Sequence, residues 1–270
     1  MIEKINNAAS FIRTKVDWEP EVGLILGTGL NSIAEMIQTP ISISYEEIPG
    51  MAVSTAPSHQ GKFIFGTLEN KKVMIMQGRL HYYEGYSLQE ITFPIRVMKA
   101  LGLKTLIVTN AAGSLNEDLV PGDITLITDH INFMGTNPLI GKNYDELGER
   151  FPSMNEPYSK RLIELCEEIA AENNFVVKKG IYTGLSGPSL ETQAECKMLV
   201  ALGSDLVGMS TVPEVIVAIH GGMEVLGISI VTNLSNIFHS KPHSQQEIWE
   251  NAEKARINLE KLILNLLKKT

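Results

Sequence analysis

Short apolar runs of strand length punctuate the whole chain: VGLIL at 22–26, KFIFGTL at 62–68, KVMIM at 72–76, TLIVT at 105–109, ITLIT at 124–128, IYTGL at 181–185 and VLGISIVT at 225–232. Runs of this length suit buried strands, and helical patterns fill several of the gaps between them. Such alternation predicts an α/β fold, a sheet with helices on both faces. The 270 residues hold no internal repeat, low-complexity tract or Pro/Ser-rich linker, so a single domain spanning residues 1–270 is expected.

Helix starts carry their own marks. Ser32/Glu35, Ser87/Glu90, Thr192/Glu195 and Ser244/Glu247 each match the Ser/Thr-x-x-Glu capping box, in which the hydroxyl takes an orphan N–H and the Glu reaches back. The last helical pattern sets Ile248, Ala252, Ala255, Leu259, Leu262 and Leu266 on one stripe and closes on Lys268 and Lys269, as a helix covering a sheet would. Cys166 and Cys196 fall in segments that read as helix and match no metal-ligand or redox pair, so reduced thiols and a cytoplasmic location are expected. The first residues contain no apolar signal region, and no window approaches the ~18 apolar residues of a membrane span. With 23 Lys plus Arg against 31 Asp plus Glu, the net charge of −8 argues against nucleic-acid and anionic-membrane partners. A small anion stays open, because one or two well-placed cations suffice to hold it.

Chemistry-bearing residues gather directly after the strand runs, where open α/β sheets place their ligand crevice. In LGTGL (26–30), Thr28 stands between two glycines; Ser32 breaks a G-x-G-x-x-G fingerprint, so the segment fits either a phosphate-binding loop or a plain tight turn. SHQGKFIFG (58–66) brings His59. GRLHYYEGYS (78–87) carries Arg79, His81 and Tyr83 at alternate positions, which an extended segment would put on one side, with Arg79 offering a planar fork for phosphate oxygens. TNAAGSLN (109–116) leaves its backbone bare for a flat or anionic ligand, and GPSLETQAE (187–195) sets Glu191 just before the Thr192 cap. In VGMSTVPEV (207–215), Ser210 and Thr211 precede Pro213 and read as a helix N-terminus, a natural anion site. IVTN (230–233) ends in Asn233, whose amide can both donate to and accept from a purine edge that bears a carbonyl and an N–H.

Taken in order, these segments resemble the motifs of the trimeric purine nucleoside phosphorylases, from about residue 20 to about residue 250. The resemblance implies the nucleoside phosphorylase fold: a single α/β domain with a twisted mixed β-sheet flanked by helices, assembled as a homotrimer. It also implies no metal or organic cofactor, with inorganic phosphate as co-substrate. Phosphate would be held by Thr28, His59, Arg79, His81, the backbone at Ala111, and Ser210. Tyr83 and Met209 would meet the ribose, Glu191 and Asn233 the base, and Phe151 would close the pocket of the neighbouring subunit. His81, Glu191 and Asn233 form the catalytic set, with His81 a phosphate ligand and Glu84 a support for its loop. Leu190 stands where an aromatic residue is common, and Ser114 replaces a second glycine. For the 5′ group, Gln245 aligns with the family's His while His243 lies two positions earlier, and either could serve.

The implied activity is reversible phosphorolysis of purine ribonucleosides or deoxyribonucleosides to free base and α-(deoxy)ribose 1-phosphate. Asn233 rather than an acid suits the 6-oxopurines of inosine and guanosine. A methylthioadenosine or broad purine phosphorylase stays open through the missing aligned His. A non-catalytic nucleoside-binding protein is disfavoured by the intact phosphate set, and a hydrolase by the lack of clustered aspartates.

Overall fold

The computed structural model of the chain describes residues 1–27, 31–55, 60–239 and 244–270. Its strands are β1 (Val22–Leu26), β2 (Gln38–Ser44), β3 (Lys62–Leu68), β4 (Lys71–Gln77), β5 (Thr105–Ser114), β6 (Ile124–Asn132), β7 (Val177–Gly184), β8 (Leu206–Gly208) and β9 (Glu224–Leu234). Its helices are α1 (Ile2–Arg13), α2 (Ser32–Glu35), α3 (Leu88–Ile91), α4 (Phe93–Ala100), α5 (Lys160–Glu172), α6 (Gln193–Ala201), α7 (Val212–His220) and α8 (Gln245–Lys269). Every apolar run becomes strand, apart from Leu185, which lies just past the end of β7. All of β1 is buried, as a strand with parallel neighbours on both edges must be.

Two strands lie outside those runs. β2 has Pro40 inside it and occupies the sheet edge, where a missing N–H is tolerated, and β8 is only 3 residues long. A further departure is β5, which runs on through Asn110, Ala111, Ala112 and Gly113 to Ser114 instead of stopping at Thr109. Small residues make this possible, because β9 and β8 flank that stretch closely. A Cβ on Gly113 would lie 3.1 Å from Asn233 Nδ2 and 3.3 Å from Val207 Cγ1.

The strand order is β2-β3-β4-β1-β5-β8-β7-β6-β9, with β9 pairing also with β5. β5, β8, β7, β6 and β9 therefore close into a ring, and β1, β4, β3 and β2 extend from it as an arm. The sheet is mixed: β1 runs parallel to β4 and β5, β5 to β9, and β7 to β6 and β8, whereas β2–β3, β3–β4, β5–β8 and β6–β9 are antiparallel. The carboxyl ends of β1, β4, β5 and β9 consequently point the same way.

Helix α1 buries Ile5, Ala8, Ala9 and Ile12, an i, i+3, i+4, i+7 stripe, and packs on α4, which in turn meets α7. α8 covers β9 and α5 with Ala252, Ala255, Leu259, Leu262 and Leu266, each buried leucine contributing about 2 kcal/mol. The capping boxes at Ser87/Glu90 and Thr192/Glu195 form in full. Ser244 accepts the Glu247 N–H, but the Glu247 carboxylate lies 3.8 Å from the His239 ring instead of returning to Ser244. Ser32 caps nothing: it is inside α2, preceded by Asn31, whose side chain accepts from Gln77 across the sheet. Cys166 and Cys196 are free and buried, in α5 and α6. Among the described residues no helix is long and apolar enough to cross a membrane.

Candidate active site

A cleft of about 190 Å³ opens beyond the carboxyl ends of β5 and β9. Arg79, His81, Tyr83, Ala111, Leu190, Glu191, Met209, Ser210, Asn233 and Gln245 all line it, so residues read separately along the chain converge on one surface. Thr28, His59 and His243 lie outside the described residues. Phe151 is not part of this cleft; it is 85% exposed and borders a separate cavity of about 520 Å³, with the Arg150 guanidinium 5.7 Å from its ring. The larger cavity carries none of the Arg79 set, so chemistry rather than size picks out the site.

Each side chain is placed by a local cause. β4 ends at Gln77, and Gly78 with φ 110° turns the chain while its carbonyl accepts from the buried Tyr45 hydroxyl at 2.7 Å. Arg79 is thereby delivered into the protein, almost fully buried, where its Nε donates to Glu214 Oε1 at 2.6 Å. Tyr82–Glu84 forms a 3₁₀ turn, so a turn, not strand alternation, brings His81 and Tyr83 together. Their rings stack at 4.7 Å with 18° between planes.

Glu84 fixes that turn. Its Oε1 accepts from the His81 backbone at 2.8 Å and sits 3.1 Å from His81 Nδ1, while Oε2 accepts from the Thr55 N–H at 2.6 Å and hydroxyl at 2.7 Å. Burial alone would raise this carboxyl, but the His81 and Thr55 hydrogen bonds outweigh it and hold the group at about 2. The sign of the linkage follows: ionised Glu84 stabilises the fold above the ordinary value of 4.5, and that contribution is lost as pH falls towards about 2. Wild-type protein should therefore lose more stability than Glu84→Gln between about pH 6 and about pH 3 in denaturant melts. Equal losses would remove this role for Glu84.

Ser210 and Thr211 lead into α7. Thr211 has φ 72°, a strained value for a β-branched residue that costs roughly 1–3 kcal/mol, and it is fully buried. The cost is met by a hydrogen-bonded chain: Asn110 Nδ2 donates to Thr211 Oγ1 at 2.9 Å, and Ser229 Oγ donates to Asn110 Oδ1 at 2.8 Å. Ser210 N–H in turn donates to the Tyr182 hydroxyl at 3.4 Å; burial pushes that phenol up to about 12, against the opposing Ser210 contacts and Arg79 charge. Ser210, just before the strained Thr211, lines the cleft together with Arg79. The Val212 N–H donates to the Ser210 carbonyl at 2.8 Å and Pro213 has no N–H, so Ser210 and not the first amides of α7 is what this segment offers an anion.

Two glycines make room beside the site. A Cβ on Gly187 would sit 2.3 Å from Met209 Sδ, and one on Gly27 would sit 2.8 Å from Asn110 Cα, so both positions need bare backbone. Asn233 faces Gly113 across the β5–β9 ladder, and Thr232 Oγ1 donates to Asn233 Oδ1 at 3.0 Å, which orients the amide with its NH₂ towards Gly113. Glu191 precedes the Thr192 cap of α6. Burial raises its carboxyl, its own N–H opposes the shift, and Glu195 adds to it.

Sequence reasoning passed over Glu214, Tyr182 and Asn110 as individual contributors. Glu214 had a readable signal, since an acid inside the apolar helix VPEVIVAI must find a cation when buried. Tyr182 and Asn110 had none, because each lies in a strand run where a polar side chain is ordinary.

The arrangement brings an arginine, a histidine and a hydroxyl into one cleft with an amide and a raised carboxyl. It can hold an oxyanion next to a neutral hydrogen-bonding heterocycle. Comparison with known proteins agrees in kind. The phosphorylase superfamily matches residues 21–268. Purine nucleoside phosphorylase 1 of Bacillus subtilis (strain 168) is 51% identical over 263 residues, covering 97% of each chain. A Schistosoma mansoni purine nucleoside phosphorylase solved with inosine superposes with TM-score 0.95 at 39% identity, covering 100% of this chain and 97% of that one. The structure of that enzyme solved with adenosine gives TM-score 0.94 at 39% identity, covering 99% and 97%.

Proposed function

This chain belongs to the purine nucleoside phosphorylases of the phosphorylase superfamily, and on that footing we propose that it catalyses reversible phosphorolysis of purine nucleosides with a preference for 6-oxopurines. The observation that carries the reading is the meeting of Arg79, His81 and Ser210 with Glu191 and Asn233 in one 190 Å³ cleft.

In the forward direction a phosphate oxygen forms the bond to C1′ as the bond from C1′ to the purine nitrogen breaks, and the electron pair leaves with the base. The sugar passes through an oxocarbenium-like state, and the departing purine gains negative charge that a proton then neutralises. The protein supplies no nucleophile. Arg79, His81, Ser210, the Ala111 backbone and, with them, Thr28 and His59 hold phosphate below the sugar, while Tyr83 and Met209 position the ribose. Asn233 meets the purine carbonyl with its NH₂ and a ring N–H with its carbonyl, and Glu191 holds the other edge; the raised carboxyl of Glu191 fits a partner that shares a proton with the base. Phosphate arrives already charged, so the chemistry calls for no metal or organic cofactor. Leu190 gives the base an aliphatic wall, and Gln245, or His243 beside it, serves the 5′ side.

The 6-oxopurine preference rests on the amide of Asn233, since the neighbouring enzyme was solved with both inosine and adenosine. We place the working unit as a homotrimer of single-domain subunits in the cytoplasm. Support comes from Phe151, which is 85% exposed and takes no part in its own cleft, as a residue that completes a neighbour's would be. Two buried free thiols fit a reducing compartment.

The test is direct. Inosine, guanosine, adenosine and methylthioadenosine are incubated with and without phosphate, and free base and sugar phosphate are measured. Inosine and guanosine should be cleaved fastest, only with phosphate, and with one sugar phosphate per base. Base release without phosphate would overturn the phosphorylase reading, and exclusive cleavage of methylthioadenosine the substrate choice.

A further inference from the structure

We propose that Glu214 is a positioning residue that registers the phosphate-binding arginine against Ser210, which leads into the same helix, an inference that rests on the phosphorylase reading. A buried carboxylate close to an anion site works against anion affinity, so its presence needs a geometric reason. Arg79 follows β4 and Glu214 sits in the first turn of α7, 135 residues later, and their 2.6 Å contact is almost fully buried. The residues just before that turn are Ser210, which lines the cleft, and the strained Thr211. This ion pair therefore ties the cation to the helix that follows directly on Ser210, a wall of the same cleft.

The contact is made at Nε, one edge of the guanidinium fork, and it removes the freedom of a long side chain before phosphate arrives. Compensation of the Arg79 charge also makes phosphate affinity depend on aim rather than on net charge. Glu214 touches neither sugar nor base in this scheme, so its effect should be confined to the phosphate side.

The experiment compares wild type with Glu214→Ala, Glu214→Gln and Glu214→Asp, measuring KM for phosphate and for inosine separately; KM does not depend on the fraction of enzyme that is folded. Glu214→Ala should raise the phosphate KM by about tenfold or more with the inosine KM within about twofold. Glu214→Gln, which keeps an acceptor for Nε, should recover most of that loss. Should Glu214→Ala yield no folded protein, Glu214→Asp, which retains the charge one methylene further back, should give the same one-sided rise at about threefold. Both KM values rising together, or a phosphate KM within twofold of wild type in the alanine or aspartate variant, would overturn the proposal. Wild-type enzyme that needs no phosphate would instead refute the phosphorylase reading itself.

Discussion

Arg79→Ala is expected to lower kcat/KM for phosphate by about 10²–10³, the usual cost of removing a preorganised charged donor from a closed site. The larger consequence is structural. Truncation leaves Glu214 buried beside an empty space with no cation, and stranding one member of such a pair costs about 3–5 kcal/mol. Denaturant unfolding should register that loss at neutral pH. Because the penalty comes from the orphaned carboxylate, Arg79→Met combined with Glu214→Leu should recover much of the stability while phosphate use stays lost. If the single and double variants unfold at the same denaturant concentration, the pair is not what holds this corner together. If Arg79→Ala keeps its phosphate KM, the anion lies elsewhere.

Asn233→Asp should invert substrate preference, lowering the ratio of kcat/KM for inosine over adenosine by about 10² or more. The amide is anchored on its oxygen side by Thr232, and its NH₂ is the natural donor to a 6-carbonyl. An aspartate offers that carbonyl only lone pairs when ionised, and an unpaired buried acceptor costs about 1–3 kcal/mol or more. A 6-amino group reverses the requirement, since it donates. Backbone placement should be unaffected, because position 233 lies in the β5–β9 ladder and the two side chains are isosteric. A ratio unchanged by the substitution would show that the base is read by other groups.

Much of this architecture is legible in the amino-acid sequence. The apolar runs became strands because a strand buried on both faces needs uninterrupted side chains of that kind, and β1 meets that requirement at every position. The irregular parts were harder for physical reasons. β2 is an edge strand and carries Pro40, so it has no such pattern, and the small residues of TNAAGS look like a loop until β8 and β9 are seen pressing on them. Ser32 matched a capping box by spacing, but its neighbour Asn31 was already engaged with Gln77.

The site was legible as a set of candidates and not as a geometry. Arg79, His81, Ser210, Glu191 and Asn233 were each visible by type and by their place after a strand, and all of them reach the same cleft. What holds them there was hidden, because the partners lie far off in sequence. Glu214 meets Arg79 across 135 residues and Asn110 meets Thr211 across 101. Spacing rules for helices and strands operate over a few residues, and such cross-links lie beyond their range.

The ring formed when β9 returns to β5 has a kinetic meaning. In that ladder Thr105 pairs with Glu224 and Gly113 with Asn233, contacts that span more than a hundred residues and must be bought with loop-closure entropy before they yield any stability. Among the described strands β9 comes latest in chain order, so it follows β5 out of the ribosome. Until it inserts, β5 has an open edge along the very residues that line the cleft, and Asn233 is not yet opposite Gly113. Catalytic competence thus waits on the pairing of β9, and until then the bare backbone of Ala111, Ala112 and Gly113 lies on an unpaired strand edge, the kind that invites pairing with another chain.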